Sequence, residues 1–324
     1  MSSPPKFEVL DLRHFSASQL RTLLIDEATH WQRRLNWDYR DSTELLLEYL
    51  DSRVLPGFAA VERGRVLGYT FTVMESAKAV IGDLYALGET GRPGNPVCET
   101  LLRHLIEMLQ ATPAIDRIEA QLMMFPAGAL SSILHEHGFQ TFPRTYMQWD
   151  FHNSRPQEPS RDSLLPGSEL LAWRPEFYDA AADLIHRAYA GHIDSDINDQ
   201  YRSTAGSLRF LHNVVRFPGC GVFEADNSWV VRDEASGQLQ ALLLSSRLRH
   251  DVGHVTQVCV APEYRGHGLG RTLLQQCATS WERRGGSALS LTVTESNATA
   301  RRVYDALGFK GLQRFEAMVW QGRK

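Results

Sequence analysis

Val258-Cys259-Val260-Ala261-Pro262-Glu263-Tyr264-Arg265-Gly266-His267-Gly268-Leu269-Gly270-Arg271-Thr272-Leu273-Leu274 decides the reading of this chain of 324 residues. An apolar strand runs into a proline turn, a loop with three glycines follows, and an amphipathic helix continues to about Trp281. Glycines remove side chains where the backbone must turn and where a ligand must approach the main chain closely. The amides left free at the helix start point outward together. With the positive end of the helix dipole they make a site for a phosphate group, and a pyrophosphate is the natural guest. Pro262 punctuates the strand, so the chain can leave the sheet there and open a slot in which a linear, amide-bearing ligand borrows strand hydrogen bonds.

Two other readings of the glycines fail on spacing. A dinucleotide fold needs Gly-x-Gly-x-x-Gly after a first strand and an acidic residue about 20 positions on. A Walker loop ends in Gly-Lys-Ser/Thr, whereas Gly270-Arg271-Thr272 carries Arg in place of Lys and its preceding glycines are misplaced.

About 30 residues downstream stand Asn297-Ala298-Thr299-Ala300-Arg301-Arg302-Val303-Tyr304 and then Leu307-Gly308-Phe309. Taken together, strand, proline, Arg-Gly-x-Gly-x-Gly loop, helix and Asn-x-x-Ala-x-x-x-Tyr resemble the GNAT superfamily of acetyl-CoA-dependent N-acetyltransferases. The resemblance covers about Trp173 to Trp320 and is faint over Phe7 to Phe151. It implies that Arg265, Gly266, His267, Gly268, Leu269, Gly270 and Arg271 hold the pyrophosphate of acetyl-CoA, the co-substrate. It also implies that backbone groups of Val258, Cys259 and Val260 meet the pantetheine arm and acetyl carbonyl, and that Asn297 and Ala300 lie beside the thioester.

Acetyl transfer to an amine needs a neutral nucleophile, a stabilised oxyanion and a proton for the departing thiolate. An alkylamine with a pKa near lysine's, about 10.4, is mostly protonated in the cell, so a base is required. The resemblance makes Tyr304 the general acid; the same ring can also pack on Phe309. His254, six residues before Val260, stands where enzymes of this superfamily often carry a glutamate base, and equally where a polar residue opens a strand. Strict alternation puts His254, Thr256, Val258 and Val260 on one face with Gln257 opposite, a parity that a β-bulge would reverse. Asn297 caps its helix, binds the cofactor, or both. Cys259 invites an acyl-cysteine mechanism, but no His/Asp partner is evident and a small strand residue is the plainer reading.

The acceptor is expected between the opening helices and the Gly-rich loop. Tyr189, Asp194 and Asp196 lie in that region, and the acids would attract a cationic amine or else belong to a solvated loop. Asp194-Ser195-Asp196-Ile197-Asn198 mimics a calcium loop, but Asp199 replaces its glycine and Ala205 its closing glutamate, so no metal is expected.

The chain reads as two copies of one plan. Each half opens with a helical region, Ser18 to Leu50 and Pro175 to Phe217. Strand-like runs follow: Gly57–Val61, Val66–Met74 and Ala79–Leu87, then Gly221–Val231, Gln238–Arg247 and His254–Val260. Thr100-Leu101-Leu102 and Thr272-Leu273-Leu274 stand 172 apart, and Gly138-Phe139 and Gly308-Phe309 stand 170 apart. The expected fold is α/β (α+β): two tandem GNAT-like domains, each a mixed, mostly antiparallel sheet flanked by helices. The divisions are 1–152 for a degenerate domain, 153–167 for a proline-bearing linker and 168–324 for the catalytic domain. In the first copy Arg92 is out of register, Pro93 and Pro96 remove amide donors, and Leu134 replaces the tyrosine. That copy is expected not to bind CoA productively.

Composition bounds the rest. A net charge of -4 gives no global basic field, so no nucleic-acid partner is expected. Cys98, Cys220, Cys259 and Cys277 lack CxxC spacing and read as buried free thiols. Met1 to Lys6 lacks a signal-peptide core, and no apolar run reaches the ~18 residues of a membrane span, so a cytoplasmic protein without a membrane partner is expected. The partner is a small-molecule or peptide amine, and a homodimer is compatible with the sequence. A non-catalytic acyl-CoA-binding or scaffold protein is the alternative.

Overall fold

The computed structural model describes residues 6–88, 91, 94–160 and 163–322. In chain order the elements are β1 (Glu8–Asp11), α1 (Ala17–Leu35), α2 (Arg40–Asp51), β2 (Gly57–Glu62), β3 (Arg65–Glu75), β4 (Lys78–Ala86), α3 (Pro96–Gln110), β5 (Arg117–Gln121), α4 (Ser131–Glu136) and β6 (Gln140–Asp150). The remainder are β7 (Ser168–Ala172), α5 (Tyr178–Tyr189), α6 (Ile193–Ile197), α7 (Thr204–Arg216), β8 (Val222–Phe223), β9 (Trp229–Asp233), β10 (Leu239–Arg249), β11 (Val252–Val260), α8 (Leu269–Arg283), β12 (Ala288–Thr294), α9 (Ala298–Leu307) and β13 (Lys310–Gln321). They form two units, Met1–Arg144 with Gln313–Lys324, and Thr145–Leu312.

In the first unit β1, β2, β3 and β4 pair antiparallel in order, and β4 pairs β5 in parallel only over Lys78–Ile81 with Arg117–Ala120. The other edge of β5 is taken by the end of the chain: Ala317–Gln321 pairs antiparallel with Gln121–Arg117. A division drawn at 152 would leave that strand out of the unit. α3 buries Cys98, Leu101, Leu102, Leu105, Ile106 and Leu109, the three-to-four spacing of a helix lying on a sheet.

Between α1 and this sheet sits a closed acid pair. Glu27 and Asp83 are both buried. Glu27 accepts from Trp31 Nε1 (3.2 Å) and Tyr69 Oη (2.7 Å), while Asp83 accepts from Leu84 N–H (2.8 Å) and Tyr39 Oη (3.4 Å). Burial, then the Asp83 charge, pushes the Glu27 carboxyl well above its usual range; burial raises Asp83 too. An acid whose folded pKa is raised is fully tolerated below the unfolded value, near 4.3, and costs stability as pH rises from there through the folded value. Glu27→Gln therefore has a melting temperature that gains on wild type as pH goes from 4 to 8, measured by calorimetry; a gap independent of pH would contradict this.

In the second unit β7, β9, β10 and β11 pair antiparallel, β11 pairs β12 in parallel, and the Thr145–Asp150 part of β6 follows β12. α8 covers one face. Its Leu269, Leu273, Cys277 and Trp281, four apart, pack with Val255, Leu289 and Leu291. α5 and α7 cover the other, where Ala181, Ile185 and Leu211 pack with Leu242, Leu244 and Cys259. The expected single run Gly221–Val231 is broken into β8 and β9 by a turn at Ala225–Asn227, residue types that favour local side-chain bonds over a ladder. Asn227, buried there, contacts Ser245 Oγ and Cys277 Sγ at 3.4 Å.

The proline-bearing stretch after Asn153 has no regular helix or strand where it is described, yet it is bound to the second unit rather than loose. Arg155 bonds Glu282 at 2.7 Å, Glu158 pairs with Arg283, and Leu164 and Leu165 pack on the α8 core. Cys98, Cys259 and Cys277 are buried thiols as expected; Cys220, in the turn before β8, is outside any disulfide but exposed. No described helix is long and apolar enough to cross a membrane.

The two units repeat one another in detail. Each places one extra residue in the strand that pairs in parallel with its neighbour: Gly82 in β4 and Thr256 in β11, 174 apart. Lys78 and Val252, where the parallel pairings begin, are also 174 apart.

Candidate active site

The extra residue Thr256 overturns the strict alternation expected for β11. Leu244 pairs Gln257 and Ser245 pairs Val255, so the strand spends two residues against one and changes face. Val255, Val258 and Val260 consequently lie on the α8 side and Cys259 on the α5 side. His254 and Gln257, expected on opposite faces, share the α5 side.

β11 and β12 remain paired only from Val252–Ala288 to Val255–Leu291. Beyond that point β11 keeps β10 as a partner and loses β12, which leaves an open V. Ala261 N–H bonds Gln240 O at 2.8 Å, so antiparallel alternation turns the amides and carbonyls of Val258 and Val260 away from β10 and toward the V. Of the three strand residues expected to meet a ligand through the backbone, Cys259 has its amide turned to β10. Its thiol is buried and pushed up to about 12 by that burial, which opposes thiolate formation.

At the end of β11 a short turn, Pro262–Tyr264, delivers the Gly-rich loop. Gly266 and Gly268 have φ of 84° and 83°, the left-handed region, and a Cβ at either would touch nothing; their role is conformational. Gly270 is helical, and a Cβ there would meet only Val260 Cγ2 at 3.6 Å. Arg265 to Gly268 and Arg271 are exposed. Among the described residues no N–H from Gly266 to Arg271 has a hydrogen-bond acceptor, and Gly268, as N-cap of α8, offers no side chain to cap them. The Arg265 guanidinium turns back instead, Nη2 to Ala188 O (2.5 Å) and Nε toward Val260 O (3.4 Å), and braces the loop against α5.

The first unit differs at this place. Asn95 caps α3 by accepting from Val97 and Cys98 N–H (3.0 and 3.2 Å), and Pro96 brings no donor. The helix start is self-satisfied. Arg92 and Pro93 lie outside the described residues; Leu134 is buried in α4.

Asn297 caps α9, its Oδ1 accepting from Ala300 N–H at 3.1 Å. One turn further Tyr304 is 8% exposed, tilted against Phe309 at 5.8 Å, so it does pack in the core while its neighbours include Tyr189.

The junction of α5 and α6 straps across the open V. On the β11 side Tyr189 Oη donates to Gln257 Oε1 at 2.9 Å and lies 3.4 Å from Val258 O. On the β12 side Thr294 Oγ1 donates to Asp194 Oδ1 (2.5 Å), and His192 Nε2 meets Asn297 Nδ2 (3.3 Å). Burial pushes the Tyr189 hydroxyl well above its usual pKa, with Tyr201 and Asp194 adding to the shift, so it remains a donor. Gln257 is 5% exposed and its Nε2 has no partner, a buried donor at the mouth of the V.

Asp194 and Asp196 do not act together. The expected loop is the short helix α6, where residues two apart face different ways: Asp194 points into the site and Asp196 pairs with Arg202 outside it. His254 lies at the paired end of β11, 5% exposed, with Nδ1 2.9 Å from Ser290 Oγ and its ring stacked on Tyr146. The sequence assigns Thr294 no role, weighs Gln257 only for the face it takes, and marks His192 only as flanking the Asp194 stretch. The signal available for His192 was its position before Asp194 at a helix start. Among the described residues no group of three His, Cys, Asp or Glu side chains is placed to hold a metal.

Free amides at a helix start beside a splayed parallel pair are the arrangement implied by the resemblance of this stretch to GNAT acetyltransferases. Residues 191–309 match the model of the acetyltransferase (GNAT) family. The [ribosomal protein bS18]-alanine N-acetyltransferase of Escherichia coli (strain K12) is 41% identical over 59 residues, which are 18% of this chain and 40% of the relative. The chain thus spans less than half the length of the curated relatives it matches. A GCN5-related N-acetyltransferase from Sphaerobacter thermophilus shares the fold over 100% of this chain and 98% of its own, with a TM-score of 0.67 at 16% identity. A tandem GNAT protein from the clavulanic acid biosynthesis pathway does so over 98% and 99%, with a TM-score of 0.61 at 15% identity. The tandem GNAT-like fold read from the sequence is borne out.

Proposed function

We propose that the second unit transfers the acetyl group of acetyl-CoA to a primary amine by direct attack. The observation that carries this reading is the row of unsatisfied amides from Gly266 to Arg271 beside the outward-facing backbone of Val258 and Val260. Those donors, with the positive end of α8, suit a diphosphate, and His267 and Arg271 stand exposed beside them. The strand groups suit the amides of a pantetheine arm and place the Val258 or Val260 N–H to polarise an acetyl carbonyl. Arg265 supports the loop from behind. Asn297 and Ala300 start the helix that brings Tyr304 to the thioester sulfur, where its hydroxyl supplies the proton for the leaving thiolate. Taking the proton from the amine falls to a histidine; the sequence points to His254, and the geometry of the strap adds another.

Asp194, Tyr189 and Gln257 line the acceptor side. The activity named for the bacterial relative makes a peptide amino terminus the first acceptor to try. The first unit, whose helix start is capped by Asn95, serves as a partner domain that does not bind CoA productively.

Gly270→Glu tests the reading. A carboxylate in the first turn of α8 favours the helix by about 0.3–1 kcal/mol, and the open surroundings of Gly270 accept a side chain. The same charge opposes a diphosphate, whose charge-assisted bonds are worth about 1.5–3 kcal/mol each, so affinity for acetyl-CoA should fall roughly tenfold to a hundredfold. Calorimetry is expected to show an equal or higher melting temperature with weaker binding. Unchanged binding would overturn the proposed phosphate site, and binding without turnover on any amine would favour a non-catalytic acyl-CoA-binding protein.

A further inference from the structure

We propose that His192, held by Asp194, is the group that takes the proton from the amine acceptor. This rests on the acetyltransferase reading and assigns the base within it.

Two histidines stand in the second unit near the expected chemistry. His254 is on the paired stretch of β11, directly opposite Ser290, before β11 and β12 separate. Four strand positions, roughly 10–13 Å at 3.3 Å per residue, divide it from Val258, where the V presents its amides. His192 sits on the strap that crosses the V. Its side chain is 28% exposed, so an incoming amine can reach it. Its ring stands edge-on to Tyr189 at 5.3 Å, and Tyr189 reaches Gln257 and Val258. Through Asn297 it also touches the cap of the helix that carries Tyr304.

The ring is set for this task by its neighbours. Asn297 Oδ1 is committed to Ala300 N–H, which fixes its carboxamide and turns Nδ2 toward His192 Nε2 at 3.3 Å. The Asp194 N–H donates to Nδ1 at 3.2 Å and caps α6, so a donor faces each ring nitrogen. Asp194 Oδ2 lies 3.6 Å from Nδ1, an ion-pair distance rather than a hydrogen bond. Asp194 is itself 17% exposed and anchored by Thr294. The Asp194 N–H holds the ring in place, and the nearby carboxylate stabilises the imidazolium that forms when the ring gains a proton. Asp194 and Thr294 are positioning residues in this scheme.

The step balances. The ammonium N–H bond breaks and its proton passes to the His192 ring, which leaves the nitrogen lone pair free. That pair forms the C–N bond to the acetyl carbon as the C–S bond breaks, and the sulfur takes the Tyr304 proton. Tyr304 recovers a proton from the new amide nitrogen, and His192 returns its own to solvent.

The test uses the full chain with acetyl-CoA and three acceptors: alaninamide, n-propylamine and a peptide with a free amino terminus. His192→Asn keeps an oxygen to cap α6 and cannot act as a base. It should bind acetyl-CoA like wild type by calorimetry while kcat/KM falls roughly 10²–10⁴-fold. His192→Gly should regain turnover as imidazole is added, which a structural defect would not. Wild-type turnover in His192→Asn, or a loss in His192→Gly that imidazole leaves untouched while acetyl-CoA binding is intact, overturns the assignment. If wild type itself turns over none of the three acceptors, the acetyltransferase reading falls and the assignment with it.

Discussion

Tyr304→Phe is expected to lower kcat roughly 10²–10⁴-fold with acetyl-CoA affinity unchanged. The substitution removes one oxygen from a ring that is almost wholly buried against Phe309, so the apolar contacts of α9 survive and the melting temperature should move little. The amides that would hold the diphosphate belong to the start of α8, a different helix, and are untouched. What is lost is the proton for the leaving sulfur. Thiol release followed in a stopped assay gives kcat, and calorimetry gives affinity. A variant with wild-type kcat would take Tyr304 out of the chemistry and leave it as a packing residue; a variant that loses binding as well would mean that the ring shapes the cofactor site. Gly270→Glu acts on binding, whereas Tyr304→Phe acts on turnover.

What the sequence disclosed and what it withheld follow from the range over which each feature is determined. The Gly266-x-Gly268 turn and the bare start of α8 are local: left-handed φ values require glycine, and a helix without a capping side chain shows it in its own residues. The Asn297 cap and the Tyr304 spacing are local for the same reason. The extra residue Thr256 is not. A bulge is a property of how two strands pair, and Thr256 itself is an ordinary strand residue, so the faces of His254 and Gln257 came out only in the register with β10. Arg265 illustrates a third kind of limit: its type fits a phosphate ligand, but Ala188 O, 77 residues away in the chain, takes its guanidinium. His192 stands in the sequence only as a flank of the Asp194 stretch, because its importance lies in meeting Asn297, 105 residues on. The two acids Asp194 and Asp196 read as one feature in a loop; in α6 about half a turn separates them, which turns them to different faces.

A chain ending at Leu312 is expected to lose the cooperative folding of its first unit. Ala317–Gln321 supplies the antiparallel partner of β5, and the same tail carries Phe315, Ala317, Met318 and Val319, all buried. Burying a large apolar side chain is worth several kcal/mol, about 2–5 for Met and 3–5 for Phe when cut to Ala. Removing the whole strand therefore takes on the order of 10 kcal/mol, comparable with the entire stability of a domain, about 5–15 kcal/mol. It also strips a partner from a buried charge group: Arg117 bonds Gln321 at 3.1 Å while Arg117 and Lys78 share Glu119. Buried charges stripped of hydrogen-bond partners are costly. Hydrogen exchange at the β5 amides reports the outcome directly, with protection in the full chain and none in the shortened one. Because the missing strand is a separate segment, a synthetic peptide spanning residues 310–324 should restore protection when added. Protected β5 amides in the shortened chain alone would mean that Met1–Arg144 folds without its last strand, and the two GNAT-like units would then be separable at the boundary near residue 152.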